Sequence, residues 1–268
     1  MDPTEIREKI AQNLKTLRES RPLVHNITNY VVMNSTANAL LCAGASPVMA
    51  HALEEVEEMV SLAGALVLNI GTLSPTWVEA MFRAGRRANE QGKPVILDPV
   101  GSGATRLRTD TALRLVEELD IRVVRGNASE VLSLGNMGAA TRGVDSVHEV
   151  GEASETAADL ARKLGTTLVI TGETDLVTDG ERVLRVANGH PLMGLVTGTG
   201  CAATALIGAF LAVEKDPAAA SAAGLAFFGL AGEKAAERAD APGSFWTALL
   251  DALYRITPED LDEGAKIS

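Results

Sequence analysis

The chain has 268 residues, of which 46% are hydrophobic, 3% aromatic and 22% charged. This composition is typical of a soluble globular protein with a sizeable core, and it excludes a disordered chain, a collagen and a coiled coil. The formal net charge of −11 argues against the broad basic face that binding along a nucleic-acid backbone requires, so we expect no nucleic-acid partner.

The first segment is charged and helical in period, with Ile6, Ile10, Leu14 and Leu17 on one face. It has no apolar signal core, and nothing downstream forms an uninterrupted apolar run of about 18 residues. The two cysteines, Cys42 and Cys201, are too few for a disulfide scaffold. We therefore expect a cytoplasmic protein that does not span a membrane.

Apolar runs that end in polar or glycine clusters alternate with helical stretches along the chain. The runs rich in Val, Ile and Leu predict buried strands, and they begin at residues 23, 65, 94, 121 and 167. A turn signal at Asp179-Gly180 predicts a hairpin between residues 176 and 186. Two segments rich in Ala, Gly and Leu, residues 202–213 and 217–238, predict tightly packed helices.

This alternation predicts an α/β fold with a mostly parallel central sheet, helices on both faces and an antiparallel edge. No composition break or linker divides the chain, so we expect residues 1–268 to form a single domain. Ligands of such sheets bind at the carboxyl ends of the strands, which makes the polar strand ends the place to look for function.

The sharpest local feature is the glycine-rich turn Thr197-Gly198-Thr199-Gly200-Cys201, directly ahead of the helix that follows. Backbone N–H groups can converge there with the positive end of the helix, which suits an anion or developing negative charge. The alternative is a tight turn that permits close helix packing. Gly198, Gly200 and Ala203 also match a dinucleotide fingerprint, but no Asp or Glu lies at a strand end about 20 residues later, as ribose recognition would require.

A second cluster follows the strand that ends near residue 127. Asn127 and Glu130 can face one side of a helix start and hold Mg²⁺, while Arg125 can reach a phosphate. Asp98, at another strand end, is the natural second carboxylate. The alternatives are an N-capping arrangement of Asn127 with Glu130, and a turn role for Asp98 before Pro99.

Seven ordered blocks resemble the bacterial hydroxyethylthiazole kinases, which have the ribokinase-like fold and act in thiamine salvage. They are PLVHNITN (22–29), GASPVM (44–49), NIGT (69–72), DPVG (98–101), GNASE (126–130), RGVD (142–145) and TGTGC (197–201). The resemblance implies ATP-dependent phosphorylation of the hydroxyl of 5-(2-hydroxyethyl)-4-methylthiazole. It also implies a homotrimer with the substrate pocket between subunits.

By the same resemblance, Met49 and Gly198 contact the thiazole, Arg125 and Thr171 contact ATP, and the Mg²⁺ site is formed by Asp98, Glu130 and Asn127. The chemistry of the residues agrees, because phosphoryl transfer needs alignment and charge neutralisation from groups such as Arg125 and the amides of Gly198 and Gly200. Met49 offers a polarisable sulfur to a heteroaromatic ring, and Asn26 offers a hydrogen-bonding amide.

Cys201 stands where the wider ribokinase-like superfamily carries an aspartate that takes the hydroxyl proton. A helix N-terminus can lower the pKa of a thiol and make it a base, and we count Cys201 with Gly198 and Gly200 as catalytic. The alternative is a small packed residue, with the proton leaving late to phosphate or water.

Three other functions remain open from the residues alone. The first is a kinase of the same fold with another acceptor, for instance the hydroxymethyl group of a pyrimidine. A binding protein without turnover is the second possibility, and a nicotinamide-dependent oxidoreductase, from Gly198-x-Gly200, is the third.

Overall fold

The computed structural model describes residues 3–135 and 150–268 of the chain. The RGVD block at 142–145 lies outside the described residues. Side-chain burial is defined for residues 5–135 and 154–268.

An eight-stranded sheet forms the centre of the described structure, with the strand order β2-β1-β3-β4-β5-β6-β7-β8. The first six strands in this order run parallel, and β7 and β8 pair antiparallel at one edge. The mostly parallel sheet and its antiparallel hairpin are therefore confirmed. The strands are β1 (Leu23–Ile27), β2 (Ser46–Val48), β3 (Ala65–Asn69), β4 (Val95–Asp98), β5 (Val123–Asn127), β6 (Thr167–Thr171), β7 (Asp175–Thr178) and β8 (Val183–Val186).

Helices cover both faces of the sheet and bury two separate apolar clusters. One cluster joins one face of the sheet to α1, α2 and α8–α11, and the other joins the opposite face to α3–α7. The helices are α1 (Pro3–Ser20), α2 (Met33–Ala43), α3 (Val56–Leu62), α4 (Pro75–Glu90), α5 (Arg106–Glu118), α6 (Ala128–Ser133), α7 (Val150–Leu164), α8 (Thr199–Leu211), α9 (Pro217–Ala236), α10 (Pro242–Arg255) and α11 (Pro258–Gly264).

The two Ala-rich helices α8 and α9 are buried along nearly their whole length, as their composition predicts. Small side chains let α8 approach the sheet closely: a Cβ on Gly208 would lie 2.8 Å from a methyl carbon of Val67. The N-terminus of α8 is thereby held against the carboxyl ends of the central strands, where the candidate site lies.

The edge strand β2 is absent from the sequence prediction. It has only three residues, and one of them is Pro47, which has no N–H to donate to a ladder. A single neighbour, β1, pairs with it. The strand matters because its carboxyl end carries Met49.

Within the described residues, no helix is both long enough and apolar enough to cross a membrane.

Candidate active site

A chain of buried polar side chains crosses the carboxyl ends of β3 and β4 and reaches α8. Asn69 and Asp98 are neighbours in the register of the two strands, and the Asn69 amide donates to Asp98 Oδ2 at 3.0 Å. Thr204 Oγ1 donates to the same carboxylate oxygen at 2.8 Å, and Asn29 Nδ2 donates to Asn69 Oδ1 at 2.8 Å. Together with Cys201, which Asn69 contacts, we call these residues the polar network.

Burial dominates the electrostatics of Asp98. It raises the pKa of this carboxyl to about 6, although the charge of Arg125 and the hydrogen bonds from Thr204 and Asn69 act in the opposite direction. The negative charge of Glu130 raises it further. A bound cation would lower this pKa and favour the ionised carboxylate.

Glu130 is fixed by backbone donors from two different loops. Its Oε1 accepts the N–H of Gly101 at 2.8 Å, and its Oε2 accepts the N–H of Asn127 at 2.9 Å. The first contact ties Glu130 to the turn that follows Asp98. One carboxylate from β4 and one from α6 therefore lie at the same edge of the sheet.

Asn127 and Glu130 form a capping box at the start of α6, which was the alternative to a metal site at the sequence level. Asn127 Oδ1 accepts from the Glu130 N–H at 3.0 Å and from the Ser129 hydroxyl at 2.7 Å, so both lone pairs of this oxygen are used. Glu130 retains acceptor capacity on both oxygens, because each accepts one hydrogen bond here.

The glycine turn places the backbone of Gly200 directly beside the guanidinium of Arg125. Gly198 caps α8 with φ of 88°, and a Cβ there would lie 2.9 Å from Val32 Cγ1. A Cβ on Gly200 would lie 2.7 Å from Arg125 Nη1, so only glycine leaves room for the guanidinium. The first N–H groups of α8, which have no partner within the helix, begin beside this arginine.

A cavity of about 800 Å³ opens beside the turn, and we call it the nucleotide cavity after the ATP contacts that the sequence analysis expects there. Its walls come from the end of β6, the start of β7, the loop after β8 and the helices α8 and α9. The predicted ATP contacts Arg125 and Thr171 both line it, and Arg125 Nη2 donates to Thr171 Oγ1 at 2.8 Å. Arg125 Nε is buried and has no hydrogen-bond partner among the described residues, so its N–H is available to an anionic ligand.

Asp175 is a third carboxylate near Arg125, and it lines the nucleotide cavity. Burial raises its pKa to about 6. Two effects lower the pKa in part: the N–H of Gly172 donates to Oδ1 at 3.0 Å, and Arg125 lies nearby with its positive charge. Arg125 thus faces Asp98 and Asp175, with Glu130 also close enough to act on Asp98.

Cys201 lies in the first turn of α8, and two amides donate to its sulfur. Asn69 Nδ2 is 3.2 Å and Asn29 Nδ2 is 3.7 Å from Sγ. Burial and the nearby Asp98 charge nevertheless raise the pKa of this thiol to about 11. The direction is opposite to the lowered pKa considered for a helix N-terminus, because burial and the Asp98 charge outweigh the amide donors and the charge of Arg125.

The predicted thiazole contacts lie on neighbouring elements. Met49 is half-buried just beyond β2, and Gly198 lies against Val32 at the start of α2. Asn26 is buried in β1, where its Nδ2 donates to the carbonyl of Val24 at 2.9 Å and its Oδ1 has no partner among the described residues. The free oxygen is consistent with a hydrogen bond to a ligand. His25 pairs with Val48 in the register of β1 and β2, so Asn26 and Met49 come next on neighbouring strands.

Several residues that build the site were not singled out from the sequence: Asn29, Asn69, Arg108, Asp175 and Thr204. Arg108 donates to the carbonyls of Gly71 and Val100, both at 2.7 Å, and so fixes the turns that follow β3 and β4. Asn29 and Asn69 stand at predicted strand ends, which was a usable signal. Thr204 gives a weaker one, as a hydroxyl inside an apolar helix.

Comparisons with known proteins place the chain in one family. The model of the hydroxyethylthiazole kinase family matches residues 14–259. A hydroxyethylthiazole kinase of Desulfotalea psychrophila is 61% identical over 257 residues, which cover 96% of this chain and 94% of the relative.

Solved structures agree with the sequence match. The structure of hydroxyethylthiazole kinase from Pyrococcus horikoshii superposes with a TM-score of 0.89 at 49% identity, over 97% of this chain and 98% of that one. A ribokinase-like superfamily protein from Enterococcus faecalis gives a TM-score of 0.66 at 15% identity, over 95% of each chain. The second likeness concerns the fold alone and confirms the ribokinase-like architecture.

Proposed function

The chain belongs to the hydroxyethylthiazole kinase family, and from this premise we propose how its residues carry out the transfer. The family's activity is ATP-dependent phosphorylation of the hydroxyl of 5-(2-hydroxyethyl)-4-methylthiazole in thiamine salvage, and it is the activity of this chain. The observation that carries the mechanism is that Asp98, Glu130, Arg125 and the glycine turn meet at one edge of the sheet.

We assign the nucleotide cavity to ATP, with Arg125 and Thr171 as its contacts. The orphaned Arg125 Nε and the N-terminal amides of α8 both offer N–H donors to phosphate oxygens. Gly198 and Gly200 keep this turn free of side chains, so that phosphate can approach the backbone. In a loose transition state, charge on the transferred group is stabilised by such fixed donors.

The donor set also fits Mg²⁺. Arg125 is the cation that acts on Asp98 and Asp175, and Glu130 adds a third carboxylate, so a triphosphate would meet net negative charge. Mg²⁺ prefers one or two carboxylates together with water and substrate phosphates. When bound, it would neutralise charge on the phosphates. Asp98 and Glu130 are the proposed carboxylates, and Asn127 contributes by holding Glu130 through the capping box.

On the acceptor side, Met49, Asn26 and Gly198 are the proposed thiazole contacts, and Cys201 is the proposed catalytic side chain beside the hydroxyl. Because its raised pKa leaves little thiolate at neutral pH, a base role makes turnover increase with pH. If the proton instead leaves late to phosphate or water, the thiol acts by filling space.

One assay tests the proposed function. Purified protein is incubated with ATP, Mg²⁺ and either the thiazole alcohol or the hydroxymethylpyrimidine, and ADP and phosphorylated product are measured. We expect product from the thiazole alcohol. If only the pyrimidine is phosphorylated, the acceptor is the pyrimidine alcohol and not the thiazole alcohol. If the protein binds the alcohols but forms no product from either, it is a binding protein without turnover.

Three further proposals concern the oligomeric state, the domain organisation and the cellular location of the protein. We propose a homotrimer with the acceptor pocket between subunits, a single domain over residues 1–268, and a cytoplasmic location. Light scattering that gives a monomer would refute the trimer, and two separate unfolding transitions would refute the single domain. Recovery of the protein in a membrane or secreted fraction would refute the location.

A further inference from the structure

Asn69 occupies an unusual position in the polar network, because all four hydrogen-bonding positions of its side-chain amide are used. Its Oδ1 accepts from Asn29 Nδ2 at 2.8 Å and from the Gly71 N–H at 3.0 Å. Its Nδ2 donates to Asp98 Oδ2 at 3.0 Å and to Cys201 Sγ at 3.2 Å. An amide can make four such bonds and no more, so Asn69 is fully satisfied with 2% exposure.

The orientation of this amide is fixed by its partners. The backbone N–H of Gly71 can only donate, and an ionised Asp98 carboxylate can only accept. The amide therefore turns its oxygen toward Gly71 and its nitrogen toward Asp98. In this orientation the second N–H of Nδ2 points at the sulfur of Cys201. The planar amide therefore sets the direction of the contacts to Asp98 and to Cys201 together.

The same contacts divide the two oxygens of Asp98. Asn69 and Thr204 both donate to Oδ2, whereas Oδ1 has no hydrogen-bond partner among the described residues. With Oδ2 held from two sides, Oδ1 keeps its acceptor capacity for a ligand. Thr204 Oγ1 also contacts the carbonyl of Gly200 at 3.3 Å, whereas Asn69 Nδ2 holds the Asp98 carboxylate and the Cys201 sulfur together.

We propose that Asn69 is a positioning residue for phosphoryl transfer: its amide fixes the Asp98 carboxylate and the Cys201 side chain relative to each other. This inference rests on the proposed function, in which Asp98 belongs to the phosphate side and Cys201 to the acceptor side. Transfer depends on alignment of acceptor and phosphate, and small displacements are costly. Asn69 acts on turnover through these two neighbours and does not itself touch the substrate.

The test uses Asn69→Ala and Asn69→Ser in the full-length protein, with Thr36→Val as a matched control. Thr36 is a buried threonine whose hydroxyl has no partner among the described residues, so its replacement measures the cost of altering a buried polar site elsewhere. Thermal melting checks that each variant is folded. Asn69→Ser, with a smaller cavity and a remaining hydroxyl, decides the question if the alanine variant does not fold.

We expect kcat to fall about 10- to 100-fold in both Asn69 variants, as for loss of a hydrogen bond to a charged group. The KM values for the thiazole alcohol and ATP should change by less than about 3-fold, since no substrate contact is lost. Thr36→Val should match the parent. A general loss of packing would not produce this division between kcat and KM.

A second readout needs neither metal nor ATP. In a Cys42→Ser background, iodoacetamide should alkylate Cys201 more slowly by about 3-fold or more in the Asn69 variants, because the sulfur loses an N–H donor that stabilises its thiolate. A folded Asn69 variant with parental kcat, or with a parental alkylation rate, overturns the inference. A parent protein that forms no thiazole phosphate would instead refute the proposed function.

Discussion

The two sides of the site differ in how complete they are before a ligand binds. In the polar network, Asn29, Asn69, Asp98 and Thr204 are each at most 4% exposed and hydrogen-bond to one another. The nucleotide cavity is open, with an unpaired Arg125 Nε and a half-buried Asp175 on its walls. The protein thus prearranges the groups around Asp98, and leaves the charge balance around Arg125 to be completed by the ligand.

This difference predicts that changes within the polar network reduce kcat, whereas changes in the nucleotide cavity mainly raise the KM for ATP. Buried groups that are already in place contribute to the transition state without being reorganised. Groups that become satisfied only on binding contribute to affinity. The following predictions test this division, from the largest expected effect to the smallest.

Asp98→Asn is expected to have the largest effect. It removes the negative charge that would bind Mg²⁺ but keeps the shape and the neighbours of the side chain, so kcat should fall about 100- to 1,000-fold. Steady-state kinetics at several Mg²⁺ concentrations would measure it. A variant with near-parental kcat and an unchanged dependence on Mg²⁺ concentration would remove Asp98 from the metal site.

Arg125→Ala should raise the KM for ATP about 30-fold or more, because it removes charge-assisted hydrogen bonds to phosphate. The KM for the thiazole alcohol should stay close to that of the parent. Titration calorimetry with ADP offers an independent measure of the lost affinity. An unchanged affinity for ADP together with an unchanged KM for ATP would contradict the assignment of the cavity.

Cys201→Ala should lower turnover about 10-fold near neutral pH if the thiol takes the proton, while Cys201→Asp should keep or increase it, because its carboxylate is more readily ionised. The raised pKa fixes the sign of the pH effect. Below a pKa of about 11 the thiolate fraction increases about tenfold per pH unit, so kcat of the parent should rise with pH.

The alanine variant serves as the control for this pH dependence. Its kcat should lack the rise that the thiol produces. If Cys201→Ala is as fast as the parent, Cys201 takes no part in the mechanism and the late departure of the proton is favoured.

Thr171→Val should have the smallest effect. It preserves the shape of the side chain but removes the hydroxyl that accepts from Arg125 Nη2 at 2.8 Å. Loss of one such contact should raise the KM for ATP about 3- to 10-fold and leave kcat nearly unchanged. A larger loss in kcat than in ATP affinity would show that the two sides of the site are not as separate as we propose.

Much of the fold could be predicted because an apolar run that ends in polar residues marks each buried parallel strand of the central sheet. The predicted antiparallel hairpin around Asp179-Gly180 is found between β7 and β8. β2 escaped prediction because three residues that include a proline carry no strand pattern of their own. It is defined by its pairing with β1, which is a property of the folded chain.

The site could be predicted in its position but not in its connections. Polar strand ends indicated one edge of the sheet as the candidate site, and the structure brings Asp98, Glu130 and Gly200 to that edge with Arg125 among them. That Asn69 joins Asp98 to Cys201 depends on strand register and on the depth of α8, which spacing along the chain does not encode. The pKa of Cys201 likewise depends on burial, which the sequence left open.

The central claim is that two carboxylates and the glycine turn face the same triphosphate. A crystal structure with Mg²⁺ and a non-hydrolysable ATP analogue tests it most directly. We predict the metal beside Asp98 and Glu130, and the terminal phosphates against the backbone of Gly198 and Gly200, with Arg125 in contact. A triphosphate bound away from the glycine turn, or a metal held by other residues, would contradict the account.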